Sequence, residues 1–209
     1  MLTMAIHPVS RGVLTLEQVE RMAVISAIAH TLAMFSFLAI FLGTCGLTRY
    51  LAARETPDRS DRLAFGAVVT FGFACVAVLI ATAISGFIVP NIMRHMVRDI
   101  PTNAPQYHLI IDSMFQINQA FSLIFSVATS AAILLWSASG LRHGGLGRGI
   151  AIYGCVISPV LTVLLGVGHL RLNVHGMAIV VLAHAIWFIA VGAELVWRQP
   201  PGQAGMAHR

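Results

Sequence analysis

The stretch Ala64–Val89 reads AFGAVVTFGFACVAVLIATAISGFIV and carries no charged side chain. It lies within the 31 residues that separate Arg62 from Arg94. A helix needs about 20 predominantly apolar residues to cross a bilayer, so this stretch is long enough for one. Because backbone polar groups in lipid must bond within their own segment, we predict that it forms an α-helix.

The whole chain contains few charged residues. Of its 209 residues, 57% are hydrophobic and only 10% are charged, and the mean hydropathy is +0.83. A soluble domain carries about a quarter charged residues. The composition therefore excludes an ordinary soluble enzyme, a disordered chain, a disulfide scaffold and a nucleic-acid binder, and it indicates a protein whose partner is the lipid bilayer.

Four further intervals between charges have the length of a bilayer crossing. We predict an all-α, polytopic transmembrane helix bundle with about five spans, near residues 22–47, 64–91, 112–138, 149–168 and 174–197. Residues 1–21 are predicted to form an N-terminal tail and the interfacial start of the first helix. Residues 198–209, which include Pro200-Pro201-Gly202, are predicted to be a disordered tail.

Two local patterns predict helix ends. Thr15-Leu16-Glu17-Gln18 matches the capping box that starts a helix, with Thr15 as the N-cap. Pro90 is predicted to end the second helix, since proline has no backbone N–H to donate.

The distribution of arginines predicts an orientation. The two termini of a five-span protein lie on opposite sides, and the side of the C-terminus carries more arginine. Basic residues favour the cytoplasmic side of a membrane. We therefore expect a multi-pass protein of the bacterial cytoplasmic (inner) membrane with its N-terminus outside and its C-terminus inside.

Polar residues recur along one face of the third predicted helix. Asp112, Gln116 and Gln119 occupy its outer end, and serines at 122, 126 and 130 continue the pattern. Small serines at this spacing are typical of a packing face between membrane helices. The two amides and the carboxylate instead favour a polar cavity that opens to the outside.

Histidines suggest a second kind of site. His30 in the first helix and His184 in the last are predicted at similar depths, so the cavity would include both. Two imidazoles at one depth could ligate haem b or a metal ion. The alternative is that each histidine bonds to a neighbouring carbonyl or hydroxyl group.

Further polar residues are predicted in the external loops. The run Met93-Arg94-His95-Met96 carries ligand types that suit copper, but methionines at a helix end next to arginine more commonly serve interfacial packing. The external-loop candidates are His95, His108, His169, Arg171 and His175.

The chain resembles small uncharacterised bacterial polytopic membrane proteins. The likeness lies in the early histidine His30, the Gly-Phe-Ile-Val-Pro end of the second helix and the last-helix sequence Glu194-Leu-Val-Trp-Arg198. The resemblance implies the architecture and no particular activity.

These patterns predict a non-enzymatic binding or accessory protein rather than an enzyme. Its cavity would hold a small ligand, a lipid headgroup or part of a partner subunit, and another membrane subunit or a second copy of the chain is a possible partner. The alternatives are a haem- or metal-binding redox protein that uses His30 and His184, and a small transporter or channel. Nucleic acid is not an expected partner.

Overall fold

A computed structural model describes residues 15–53, 62–98 and 104–197, and every regular element in these ranges is helical. Their order is α1 (Leu16–Ala52), α2 (Leu63–Ala83), a π-helical segment (Ile84–Ile88), α3 (Val89–Arg98), α4 (Ala104–His143), α5 (Arg148–Gly166) and α6 (Val174–Trp197). The predicted disordered tail, residues 198–209, lies outside the described residues, as do residues 1–14.

Within the described residues, five helices are long and apolar enough to cross a membrane, which confirms the predicted fold class. One of them is the continuous run Leu63–Arg98, which comprises α2, the π segment and α3. Helices α1 and α4 and the run Leu63–Arg98 are longer than the predicted spans, because helical structure continues past the apolar sequence into polar sequence. Helix α6 has the predicted bounds, 174–197, and α5 ends at Gly166, two residues before the predicted end of its span.

The capping box at the start of α1 is confirmed. The backbone N–H of Gln18 donates to the hydroxyl oxygen of Thr15 over 3.3 Å, and the backbone N–H of Thr15 donates to Oε1 of Gln18 over 3.1 Å. Two N–H groups that lack partners within the helix are thereby satisfied.

Helix α4 lies at the centre of the bundle. It packs against α2 on one side and α5 on the other, while α6 packs on α5 and α4. Helix α1 packs mainly on α2, the π segment and α3, and within the described residues it contacts neither α5 nor α6. Half of the apolar window of α4 is buried in the bundle, whereas none of the corresponding window of α1 is. Helix α1 is therefore a peripheral helix.

Tightly packed aromatic side chains fill the part of the bundle where α4 ends and α5 begins, which we call the packed end. The indoles of Trp136 and Trp187 stack with their centroids 5.9 Å apart, and Phe71 and Phe188 contact them at 5.7 Å and 5.2 Å respectively. Trp136 and Trp187 have no exposed surface. Close packing is the main force that joins helices in lipid, because lipid tails are as apolar as the side chains themselves.

Hydrogen bonds and a glycine complete the packed end. The indole N–H of Trp187 donates to the Ser137 hydroxyl over 3.0 Å, and that of Trp136 donates to the Thr48 hydroxyl over the same distance. Gly154 brings α5 so close to this group that a Cβ there would clash with Ser137 Oγ and lie 2.6 Å from Trp187 Nε1. A buried indole N–H needs such a partner, so these two bonds fix how α1 and α6 pack against α4.

Glu194 joins α6 to the start of α5. The backbone N–H of Gly147, the N-cap residue of α5, donates to Glu194 Oε2 over 2.7 Å. A carboxylate is favourable there because the N-terminus of a helix carries partial positive charge.

The serines of α4 lie inside the bundle, as the packing interpretation predicts. Ser126 and Ser130 are fully buried and Ser122 is 9% exposed. Ser126 donates to the backbone carbonyl of Ser122 over 2.8 Å, and such local bonds satisfy a hydroxyl in an apolar setting.

Candidate functional site

A cavity of about 470 Å³ lies at the opposite end of the bundle, where α1 and α6 begin; we call this region the cavity end. Its walls come from α1, α2, the π segment, α3, the first half of α4 and residues 172–177. Apolar side chains form most of the surface, and no aspartate, glutamate, lysine or arginine is among the described residues that line it. Its polar side chains include Ser26, His30, Ser85, Asn118, Gln119 and Asn173.

A chain of hydrogen bonds links three walls of the cavity. His30 Nδ1 lies 2.7 Å from the backbone carbonyl oxygen of Ser26 and 3.2 Å from its hydroxyl oxygen. The Ser26 hydroxyl donates to the carbonyl of Ser85 over 3.3 Å, and the Ser85 hydroxyl donates to Oδ1 of Asn118 over 3.1 Å. The network therefore connects α1 to the π segment and the π segment to α4.

The π segment exists at this position because of Pro90. In a regular α-helix Pro90 would crowd the carbonyl of Gly86 and give it no N–H. The chain instead widens its turn, and the N–H of Val89 bonds to the carbonyl of Ile84, five residues earlier. That N–H is no longer available to the carbonyl of Ser85, which accepts from Ser26 instead. The prediction that Pro90 ends the helix is thus wrong: the helix passes through it and continues to Arg98.

Gly86 lets α1 approach the π segment closely. A Cβ at this position would lie 2.6 Å from the Cβ of His30 and 2.7 Å from its Cγ. Any larger residue must therefore displace the His30 side chain or α1 itself. Local π segments of this kind often occur at functional sites.

The hydrogen bonds decide which polar groups remain for a ligand. Asn118 accepts through Oδ1 from Ser85, and Asn173 accepts through Oδ1 from the backbone N–H of Gly176 over 2.9 Å. Each amide keeps its NH₂ group as a donor. The contact with the Ser26 carbonyl places the His30 proton on Nδ1, so Nε2 of a neutral ring is an acceptor. The cavity thus offers the amide NH₂ groups of Asn118 and Asn173, the amide of Gln119 and one imidazole acceptor.

The cavity is closed towards the middle of the bundle and open on one side. Phe37 of α1 meets Phe125 of α4 edge to face, with centroids 5.5 Å apart, beyond the last cavity-lining residues of both helices. Because α1 contacts neither α5 nor α6 in the described residues, the side between α1 and α6 has no helix contact to close it.

The structure places two of the predicted cavity residues, His30 and Gln119, in its lining. Asp112 and Gln116 are exposed and lie outside the lining. The lining face of α4 includes Phe115, Asn118 and Ser122. At 100° per residue, the centre of this face lies about a quarter of a turn away from the predicted face that carries Asp112 and Gln116. Sequence polarity alone therefore did not locate the face that turns inward.

His184 lies in a different environment from His30. It is 3% exposed, and its Nε2 lies 2.9 Å from the hydroxyl oxygen of Ser130, so it packs between α6 and α4 outside the cavity lining. Residues 15–53, 62–98 and 104–197 contain no group of three or more His, Cys, Asp or Glu side chains that could hold a metal ion. Ligation of haem b or a metal ion by His30 and His184, and copper binding by the run Met93-Arg94-His95-Met96, stay predictions from the sequence, which an absorption spectrum with elemental analysis would test.

All of the predicted external-loop residues are exposed at the cavity end. His169 and Arg171 lie between α5 and α6, whereas His175 belongs to the first turn of α6. His95 and His108 lie in α3 and α4 rather than in a loop, because both helices extend further than their apolar sequence.

Sequence reasoning missed Ser26, Ser85, Asn118 and Asn173 as cavity residues. A signal was present for two of them: Ser26 and His30 are one helical turn apart, and Ser85 adjoins the Gly86-to-Pro90 interval that relaxes the helix. Asn173 had no such signal, since only the fold brings residues 172–177 to the cavity.

Fold and site together define an all-helical, multi-pass membrane protein with an uncharged cavity at one end. No protein family, curated protein or solved structure matches this chain. The function therefore has to be argued from the cavity itself.

Proposed function

We propose that this protein is a membrane binding or accessory protein that holds a small uncharged molecule, or the uncharged headgroup of a lipid, in the cavity. The observation that carries the proposal is the cavity of about 470 Å³ with unused amide donors at Asn118 and Asn173 and an imidazole acceptor at His30. Cavities of roughly 300–1,000 Å³ with apolar walls and a few polar groups are typical small-molecule sites.

Binding is a better account of these groups than catalysis. The described lining contains no carboxylate and no cysteine, and the ring nitrogen Nδ1 of His30 is held by a backbone carbonyl. Acid–base or nucleophilic catalysis needs a nucleophile or a proton-transferring pair in reach of the substrate. Hydrogen-bond donors without formal charge instead select a ligand by shape and polarity.

Accessibility of position 119 tests the cavity. In a background in which Cys45, Cys75 and Cys155 are replaced by alanine, Gln119→Cys is treated with a membrane-impermeant maleimide in spheroplasts. We expect labelling of this variant, because Gln119 is exposed and lines the cavity. Ser126→Cys, on the same helix but fully buried, serves as the unlabelled control.

His95→Cys provides the second control and tests the orientation. His95 is exposed on α3 at the cavity end and lies outside the lining. With the N-terminus outside, His95→Cys is labelled in intact spheroplasts; labelling only after permeabilisation would reverse the proposed orientation. Labelling at position 95 together with full protection at position 119 would refute a water-accessible cavity.

A further inference from the structure

An apolar groove of about 640 Å³ lies between α1 and α2, next to the cavity. Met34, Phe37 and Leu38 of α1 form one side. Gly72, Val76 and Leu79 of α2 form the other. Val76 and Leu38 are more than half exposed, so the groove faces the lipid that surrounds the bundle.

The groove follows the same helix pair as the cavity. Met34 comes one helical turn after His30 of the cavity, and Leu79 is next in sequence to Val78, which lines the cavity. Gly72 keeps the groove open, because even a Cβ there would already reach ordinary contact distance, 3.7 Å, from Phe41. The purely apolar lining of the groove therefore begins within one helical turn of the cavity lining on both helices.

The depth of the polar groups limits the headgroup that could enter. His30 lies eight residues beyond residue 22, where the predicted membrane span begins, which is about 12 Å along the helix. A charged headgroup at such a position would lose its hydration, and the described lining supplies no opposite charge. An uncharged headgroup with carbonyl oxygens suits the amide donors of Asn118 and Asn173.

From the cavity and the groove together we infer that the protein binds one single-tailed lipid with an uncharged, carbonyl-bearing headgroup, the chemistry of an isoprenoid quinone. The headgroup lies in the cavity, where the amide groups of Asn118 and Asn173 donate to its ring carbonyls, and the hydrocarbon tail lies in the groove between α1 and α2. This inference rests on the proposed binding function and names its ligand class.

Native mass spectrometry of the purified, folded protein in detergent tests this assignment with decylubiquinone, a quinone ring with a ten-carbon tail. We expect one molecule to be retained. Gly72→Leu fills the groove and should weaken retention about tenfold, because the tail loses its packing contacts. Gly43→Leu is the matched control: Gly43 is exposed on α1, lies outside the groove lining, and has no atom within 4 Å of its Cβ position.

The tailless quinone ring with the same substituents separates the two parts of the site. Gly72→Leu should leave its retention unchanged, whereas Asn118→Leu should weaken retention of both compounds. If Gly72→Leu weakened retention of the tailless ring as much as retention of decylubiquinone, the groove would not be the tail site. Retention of dioleoylglycerol in preference to decylubiquinone would overturn the quinone headgroup.

The outcomes distinguish this inference from the proposed function. Labelling of Gln119→Cys without retention of decylubiquinone refutes the quinone assignment and leaves the cavity as a binding site for another uncharged molecule. Failure of both experiments would remove the proposed function as well. Circular dichroism of Gly72→Leu and Asn118→Leu confirms that both variants are folded before their retention is compared.

Discussion

The two ends of the bundle use the same helices in opposite ways. At the packed end, Trp136 and Trp187 stack with no exposed surface, and each indole N–H has a partner on another helix. At the cavity end, His30 and Asn118 surround a void and keep polar groups unused. One end therefore holds the helices together, while the other leaves space and polar groups available, as the proposed binding function requires when stability and function make opposing demands.

Helix α1 shows the difference most clearly. The apolar window of α1 is unburied, and at the cavity end an ion pair between Arg98 and Glu20 joins it to α3. Helix α4, in contrast, contacts α2, α5 and α6 and is half buried over its apolar window. Four substitutions test whether stability is concentrated at the packed end, from the largest expected effect to the smallest.

Trp187→Ala should have the largest effect. It removes a fully buried ring and the bond to Ser137, and we expect the free energy of unfolding in detergent to fall by about 3 kcal/mol or more. Trp197→Ala, which truncates an indole that is 84% exposed, is the control and should be nearly neutral. Similar losses for the two variants would show that the packed end does not dominate stability.

Gly154→Ala should come next. Its new Cβ would clash with Ser137 Oγ between helices that cannot easily separate, so we expect a loss of about 1–3 kcal/mol in unfolding free energy. Gly149→Ala on the same helix meets no atom within 4 Å and should cost nothing measurable. Thermal melts followed by circular dichroism compare the two, and an unchanged melting temperature in Gly154→Ala would contradict the close packing.

Gly86→Ala sharpens the comparison, because it also introduces a clash, 2.6 Å from the Cβ of His30. Here the peripheral helix α1 can move away, so we expect a loss of about 1 kcal/mol or less, at the low end of overpacking costs. The same thermal melts measure it beside Gly154→Ala. Equal losses for the two glycines would mean that α1 is held as rigidly as the packed end.

Arg98→Ala should have the smallest effect. The ion pair with Glu20 spans 3.1 Å, but its side chains are 55% and 47% exposed, and exposed pairs contribute about 0–1 kcal/mol. A double-mutant cycle with Glu20→Ala in chemical denaturation gives the coupling energy directly. A coupling well above 1 kcal/mol would show that α1 is anchored at the cavity end after all.

Much of the fold could be predicted from the sequence, but little of the site. The charge intervals identified five helices because a charge is costly inside a bilayer wherever the helix lies. They did not give helix ends such as Arg98 and His143, since a helix can continue into water at little cost. The packing of α4 against α2 and α5 sets which of its faces turns inward. The polar residues Asp112 and Gln116 therefore indicated a face that does not line the cavity.

The sequence by itself determined the number of membrane helices and the capping box at Thr15, because both depend on local chemistry: burial in lipid and bonds between neighbours three residues apart. Only the tertiary structure decided that Pro90 widens a helix instead of ending it, and that the freed carbonyl of Ser85 bonds to Ser26. It also decided that His30 lines a cavity while His184 is buried against Ser130. The environment of a polar group is set by the helices packed around it, and that information is not local in the chain.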